Sequence, residues 1–144
     1  RGVEYIEQPL DQGNESELKY LYPNRPLPIY IDESLRYADD VGKWADHIDG
    51  VNIKLMKCGG ITEAIEIIKM AKKFHLKTMI GCMSESSVSI AAASAISGVI
   101  DQIDLDSQYN LAPDPAKGTQ LCNGVTLADI VPGHGGALKP EYHA

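Results

Sequence analysis

Five stretches of strand-forming residues recur along the chain at nearly constant spacing, and this periodicity constrains the fold more than any other feature. Val3 to Glu7, Pro28 to Asp32, Val51 to Leu55, Lys77 to Gly81 and Gln102 to Asp106 begin 25, 23, 26 and 25 residues apart. The intervening segments read as helices. Thr62 to Phe74 is the clearest, because Ala64, Ile65, Ile68, Ala71 and Lys72 fall three and four apart, with Gly59-Gly60 as its loop and Thr62 as its N-cap. Ser87 to Ile96 is rich in Ala and Ser, which suits a helix lying close against a sheet, and residues 15 to 22 and 36 to 47 give weaker helical patterns. Strands alternating with helices in this way imply right-handed βα units, hence a parallel sheet with helices outside.

Such a sheet can be open or closed. An open dinucleotide-binding sheet carries G-x-G-x-x-G after an early strand, and the chain contains no such sequence. Charged groups stand at the strand ends instead: Glu7, Asp32, Lys54 and Asp106. Polar groups gathered at the C-terminal ends of parallel strands are how a (β/α)₈ barrel builds an active site. Five units cannot close eight strands. The expected fold is therefore α/β, the C-terminal five βα units (strands 4 to 8) of such a barrel, occupying residues 1–144 as one portion of a longer catalytic domain. Residues 107 to 144, dense in Gly and Pro, form the loop and closing segment after the eighth strand. The start agrees, since strand-like residues begin at position 3, as in a chain cut from something longer.

Alternation along a strand sorts side chains between the two faces. In Val51-Asn52-Ile53-Lys54-Leu55 the apolar residues share the helix-facing side and Lys54 points inward. The same rule sends Ile29 and Ile31 outward and Asp32 inward, Ile103 and Leu105 outward and Asp104 and Asp106 inward, and Glu7 inward opposite Ile6. Five inward ionisable groups are costly unless paired or put to use. Glu7 and Asp32 are the oxygen donors that a hard cation such as Mg²⁺ prefers. They could equally form a salt-bridge cluster with Lys54, or the carboxylate pair of a glycoside hydrolase. Beside a cation and walled by barrel residues, the ammonium form of Lys54 would be disfavoured, which makes a lysine a base near neutral pH.

Composition narrows the partners. With 13 Lys and Arg against 20 Asp and Glu, the net charge is -7, and no block of five or more like charges occurs, which makes nucleic acid and anionic membrane poor candidates as partners. No apolar run reaches the eighteen or so residues that span a bilayer. Cys58, Cys82 and Cys122 are odd in number and widely spaced, which fits neither a disulfide framework nor a zinc ribbon and points to reduced thiols in the cytoplasm. A two-cysteine racemase would also use thiols, but no flanking residue supports it. A homo-oligomer is open on sequence alone.

Glu7-Gln8-Pro9, Asp32-Glu33-Ser34, the run Val51 to Ile61 containing Lys54-Leu55-Met56-Lys57, Gly81-Cys82-Met83-Ser84-Glu85 and Asp104-Leu105-Asp106 together resemble the enolase superfamily. Within it they are most similar to the muconate-lactonizing subgroup, and to its dipeptide epimerases of the L-Ala-D/L-Glu type. The resemblance runs in order over residues 1 to about 115. It implies a Mg²⁺-dependent isomerase that removes the α-proton of a carboxylate substrate through a metal-stabilised enediolate. By the same resemblance Glu7 and Asp32 would be metal ligands, Lys54 the acid/base, and Asp104 and Asp106 the holders of a dipeptide's α-ammonium. Glu85 would be a further substrate-site residue. The family's third metal ligand, its second lysine, its first three strands and its N-terminal capping domain have no counterpart in the sequence, so the chain by itself would be inactive. An N-succinylamino acid racemase or a cycloisomerase of the same subgroup would share the metal and lysine without needing Asp104 and Asp106, and a non-catalytic fragment would need none of them.

Overall fold

A computed structural model describes residues 2–143. Its framework is one sheet of five parallel strands in chain order: β1 (Ile6–Glu7), β2 (Ile29–Ile31), β3 (Gly50–Ile53), β4 (Lys77–Ile80) and β5 (Gln102–Ile103). The strands form a half-barrel, the expected partial (β/α)₈ arrangement. Helices α1 (Leu18–Leu21), α2 (Ala38–Trp44), α3 (Leu55–Cys58), α4 (Ile61–Lys73) and α5 (Ser87–Ser94) fill the connections.

Alternation divides the sheet as the sequence requires. Ile29, Ile31, Val51, Ile53 and Ile80 enter one buried cluster with Leu18, Val41, Ala64, Ile67, Ile68, Ala71 and Ile90 from the helices. The opposite face carries Tyr30, Asp32, Asn52, Lys54 and Gly81. At its lower end Tyr30 stacks on Tyr5 with ring centroids 4.7 Å apart. The Tyr30 ring also lies against Gly50, where a Cβ would come within 2.4 Å of it, so only glycine fits.

Element ends depart from expectation for local reasons. β1 is two residues long because only Ile6 and Glu7 have paired partners, Ile29 and Tyr30. β5 stops at Ile103, although the Asp104 amide still donates to the Ile80 carbonyl at 3.0 Å. Ile103 faces away from Asp104 and is 56% exposed. Leu55, expected to end a strand, opens α3, which closes at Gly59 in the left-handed region (φ 88°). α4 then starts at Ile61 with Gly60 as its N-cap, so Thr62 lies inside the helix.

The closing segment is more structured than its composition implied. β6 (Ala116–Lys117) pairs antiparallel with β9 (Ala137–Leu138), and β7 (Gln120–Cys122) pairs with β8 (Val125–Leu127) across Asn123-Gly124. Both turn residues have positive φ, 51° and 80°, as a two-residue hairpin turn demands. The segment lies against α5: a Cβ on Gly118 would sit 2.5 Å from the Ser87 carbonyl oxygen. Asp114 fastens it there, accepting from the Ser87 amide at 3.0 Å and from its hydroxyl.

Candidate active site

Asp32 ends β2 and is buried, with 2% of its surface exposed. One carboxylate oxygen accepts from Lys54 Nζ and the other from Lys57 Nζ. Lys54 follows β3 directly, and Lys57 reaches back from α3. Lys57 also donates to the Asp32 carbonyl and, at 3.2 Å, to the Asn52 carbonyl, so it ties the first turn after β3 to the end of β2. Glu7 accepts a 2.7 Å hydrogen bond from Asn52 Nδ2. Asn52 is 1% exposed, and its other amide atom, Oδ1, has no partner.

The charges follow from these contacts. Burial pushes the Glu7 carboxyl up, and the nearby Asp32 carboxylate adds to the rise despite the Asn52 donor. Burial would raise Asp32 as well, but Lys54 and Lys57 outweigh it and hold its pKa below the usual carboxylate value. For Lys54, burial alone would lower the pKa, yet the Asp32 ion pair raises it. This pairing is the salt-bridge arrangement that the sequence left open for Glu7, Asp32 and Lys54. The lysine with a lowered pKa is Lys57, whose deeper burial exceeds the compensation from Asp32.

Asp104 and Asp106 stand at the end of β5, where they line a cavity of about 410 Å³ together with Ser94, Leu105, Val125 and Thr126. Cys82 Sγ lies 4.0 Å from Asp106 Oδ1. Glu85 is not among the residues lining that cavity. Only 5% exposed, it accepts from the Met83 amide at 2.8 Å and from the Ser89 hydroxyl, and its own amide donates to Ser107 Oγ at 3.3 Å. Its carboxylate is thus committed to its own turn. Cys58 is buried, Cys82 half-buried and Cys122 exposed, all as free thiols.

The structure therefore brings together Glu7, Asp32 and Lys54, places Asp104 and Asp106 at the end of β5, two strands beyond β3, and turns Glu85 into its loop. Sequence reasoning missed Asn52 and Lys57. The parity rule applied to Lys54 also sends Asn52 inward, so Asn52 was readable. Lys57 was not, because its position depends on the helical turn that replaces the end of the expected strand.

Glu7 and Asp32 fit a hard divalent cation in donor chemistry: both are oxygen ligands, and they lie close enough for one carboxylate to raise the pKa of the other, a repulsion that a cation would relieve. Among the described residues, no group of three or more His, Cys, Asp or Glu is placed to hold a metal ion. Also among the described residues, no helix is long and apolar enough to cross a membrane.

Comparison with known proteins agrees with this geometry. A hydrophobic dipeptide epimerase of Flavobacteria bacterium (strain MS024-2A) is 64% identical over 144 residues, which is 100% of this chain and 41% of that protein. Another of the same name, from Roseobacter litoralis, is 57% identical over 137 residues, 95% of this chain and 40% of its own length. The structure of a dipeptide epimerase from Cytophaga hutchinsonii, complexed with Mg and the dipeptide D-Ala-L-Val, superposes with a TM-score of 0.90 at 26% identity, covering 98% of this chain and 40% of that one. The chain thus spans about 40% of the length of these relatives. The family model described as enolase C-terminal domain-like matches residues 1–142, and the chain belongs to that family.

Proposed function

We propose that this chain supplies strands four to eight of the catalytic barrel of a Mg²⁺-dependent dipeptide epimerase. Lys54 is the proton-transferring group on one face of the substrate α-carbon, Glu7 and Asp32 are metal ligands, and Asp104 and Asp106 hold the dipeptide ammonium. The observation that carries this reading is the convergence of one lysine and two carboxylates on the interior face, each from a different strand end. The capping domain, strands one to three, the third metal ligand and the second lysine belong to the remainder of the protein, so residues 1–144 alone are inactive.

When bound, the cation would withdraw electron density from the substrate carboxylate and acidify the adjacent C–H bond. Lys54 Nζ then takes the proton from that carbon or returns it, and inversion requires a second base on the other face. Asp104 and Asp106 recognise the ammonium through charge-assisted hydrogen bonds. Glu85 holds the Cys82–Ser84 turn beside them. The two relatives described above, 64% and 57% identical, support hydrophobic dipeptides as the substrate class.

The test uses the full-length protein. Asp104→Asn and Asp106→Asn should raise KM for dipeptides with a free amino terminus by at least about tenfold, with a smaller change in kcat, because the charge they meet is present throughout the reaction. N-acetylated dipeptides should lose nothing. Equal losses for free and acetylated substrates would remove the ammonium-binding role and favour the racemase or cycloisomerase alternative.

A further inference from the structure

Two of the motifs contain residues that the proposed chemistry leaves without a role: Gln8, after Glu7, and Ser34, two residues after Asp32. Gln8 is one of only three non-glycine residues with positive φ among those described, at 40°. That conformation swings its side chain across to the loop following β2. Gln8 Oε1 accepts from the Asp32 amide at 2.9 Å, while Nε2 donates to Ser34 Oγ and to the Leu10 carbonyl, each at 2.8 Å. Ser34 Oγ in turn donates to Glu15 Oε1 at 2.6 Å. The Glu15 carboxylate, itself buried, also accepts from the Gly13 amide with both oxygens at 3.0 Å.

The direction of every bond in this chain is determined. An ionised Glu15 can only accept, so the Ser34 hydrogen points to it and the Ser34 oxygen is left to receive from Gln8. Gln8 must then present its NH₂ to Ser34 and its carbonyl to the Asp32 amide, and the reversed amide would face two acceptors with an oxygen of its own. The network joins the loop after β1 to the loop after β2 immediately beside Glu7 and Asp32. The Gln8 amide also donates to the Tyr30 carbonyl at 2.8 Å, so backbone and side chain of one residue both tie the end of the two-residue β1 to β2.

We infer that Gln8, Ser34 and Glu15 form a one-way hydrogen-bond relay that sets the spacing of Glu7 and Asp32, making Gln8 and Ser34 positioning residues for the divalent cation. This inference rests on the metal-ligand reading of Glu7 and Asp32. It explains why glutamine follows the first carboxylate: only a side chain with one donor end and one acceptor end, and the length to span the gap, completes the relay.

The test is Mg²⁺ titration by calorimetry in the full-length protein, without substrate, with thermal unfolding recorded alongside. Gln8→Asn is the informative variant, since Asn tolerates positive φ yet is one methylene too short to reach both partners. Gln8→Asn and Ser34→Ala should each weaken Mg²⁺ binding about 10- to 100-fold, as loss of supporting contacts does at other metal sites, while the apo unfolding temperature shifts little. The double variant should bind no more weakly than the worse single one, because either change breaks the same relay. Wild-type affinity in either single variant, or losses that multiply in the double, would overturn the inference while leaving the metal site standing. Absence of Mg²⁺ binding by the unsubstituted protein would overturn the ligand assignment, and this inference with it.

Discussion

Gly81→Ala tests whether the interior face is packed around Asn52 as tightly as the geometry indicates. Gly81 needs no special backbone conformation, and its constraint is space: a Cβ there would lie 2.8 Å from both Nδ2 and Oδ1 of Asn52. Asn52 is fully buried and cannot retreat without breaking its 2.7 Å hydrogen bond to Glu7. Two responses are open, and they exclude each other. Either the amide holds and the core is overpacked, at about 1–3 kcal/mol, or it yields and a hydrogen bond to a charged group is lost, at about 1.5–3 kcal/mol. Replacing glycine also restricts the unfolded chain, which returns about 0.4–1 kcal/mol. The expected net loss is about 1–2 kcal/mol, read as a lower urea midpoint at unchanged m-value in the full-length protein. Asn52→Ala removes the obstruction, so the Gly81→Ala/Asn52→Ala double variant should be more stable than the sum of the two single losses. A Gly81→Ala protein with wild-type midpoint, or strictly additive losses in the pair, would refute the claim that Asn52 is wedged between Gly81 and Glu7.

Two further outcomes follow from the same structure. Gly50→Ala should cost more, about 3 kcal/mol or above, because the neighbour is the rigid Tyr30 ring stacked on Tyr5, and soluble expression with an unchanged urea midpoint would contradict it. Burial would raise the Asp101 carboxyl, but Lys77 and Thr78 hold it below its usual value; Asp114 behaves likewise through Ser87 and Ala116. A lowered folded pKa stabilises above the unfolded value of about 3.9, and that contribution disappears as pH falls through the folded value. Asp101→Asn and Asp114→Asn should therefore each flatten the fall of the urea midpoint below about pH 4. An acid limb identical to wild type in both would show that neither contact carries linkage.

Much of the fold was legible because two signals coincide. β-Branched residues at period two and spacers long enough for a crossover helix leave little besides parallel βα units, and alternation alone sent Asp32 and Lys54 to the interior. The sequence was less informative where tertiary context decides. Strand ends depend on which neighbours are present, so β1 and β5 came out shorter than their composition suggested. Asn123-Gly124 is a hairpin signal in plain view, obscured by reading the Gly- and Pro-rich tail as irregular. The electrostatics of Lys54 could not be read from its own position, because the ion pair with Asp32 outweighs burial and reverses the sign of its shift. Glu85 illustrates the reverse case: a carboxylate at the right strand end whose serine and amide neighbours turn it into its loop.

The proposed role of Lys54 is to move a proton at a substrate carbon beside the cation that Glu7 and Asp32 would hold. It is tested most directly by ¹H NMR of a hydrophobic dipeptide in D₂O with the full-length protein and Mg²⁺, following deuterium at the α-carbon next to the carboxylate as the epimers interconvert. The wild type should epimerise with deuterium incorporation, and Lys54→Ala should lose about 100-fold or more, since a positioned acid/base contributes about 10²–10⁴-fold. Epimerisation at an undiminished rate in a folded, Mg²⁺-binding Lys54→Ala protein would contradict it.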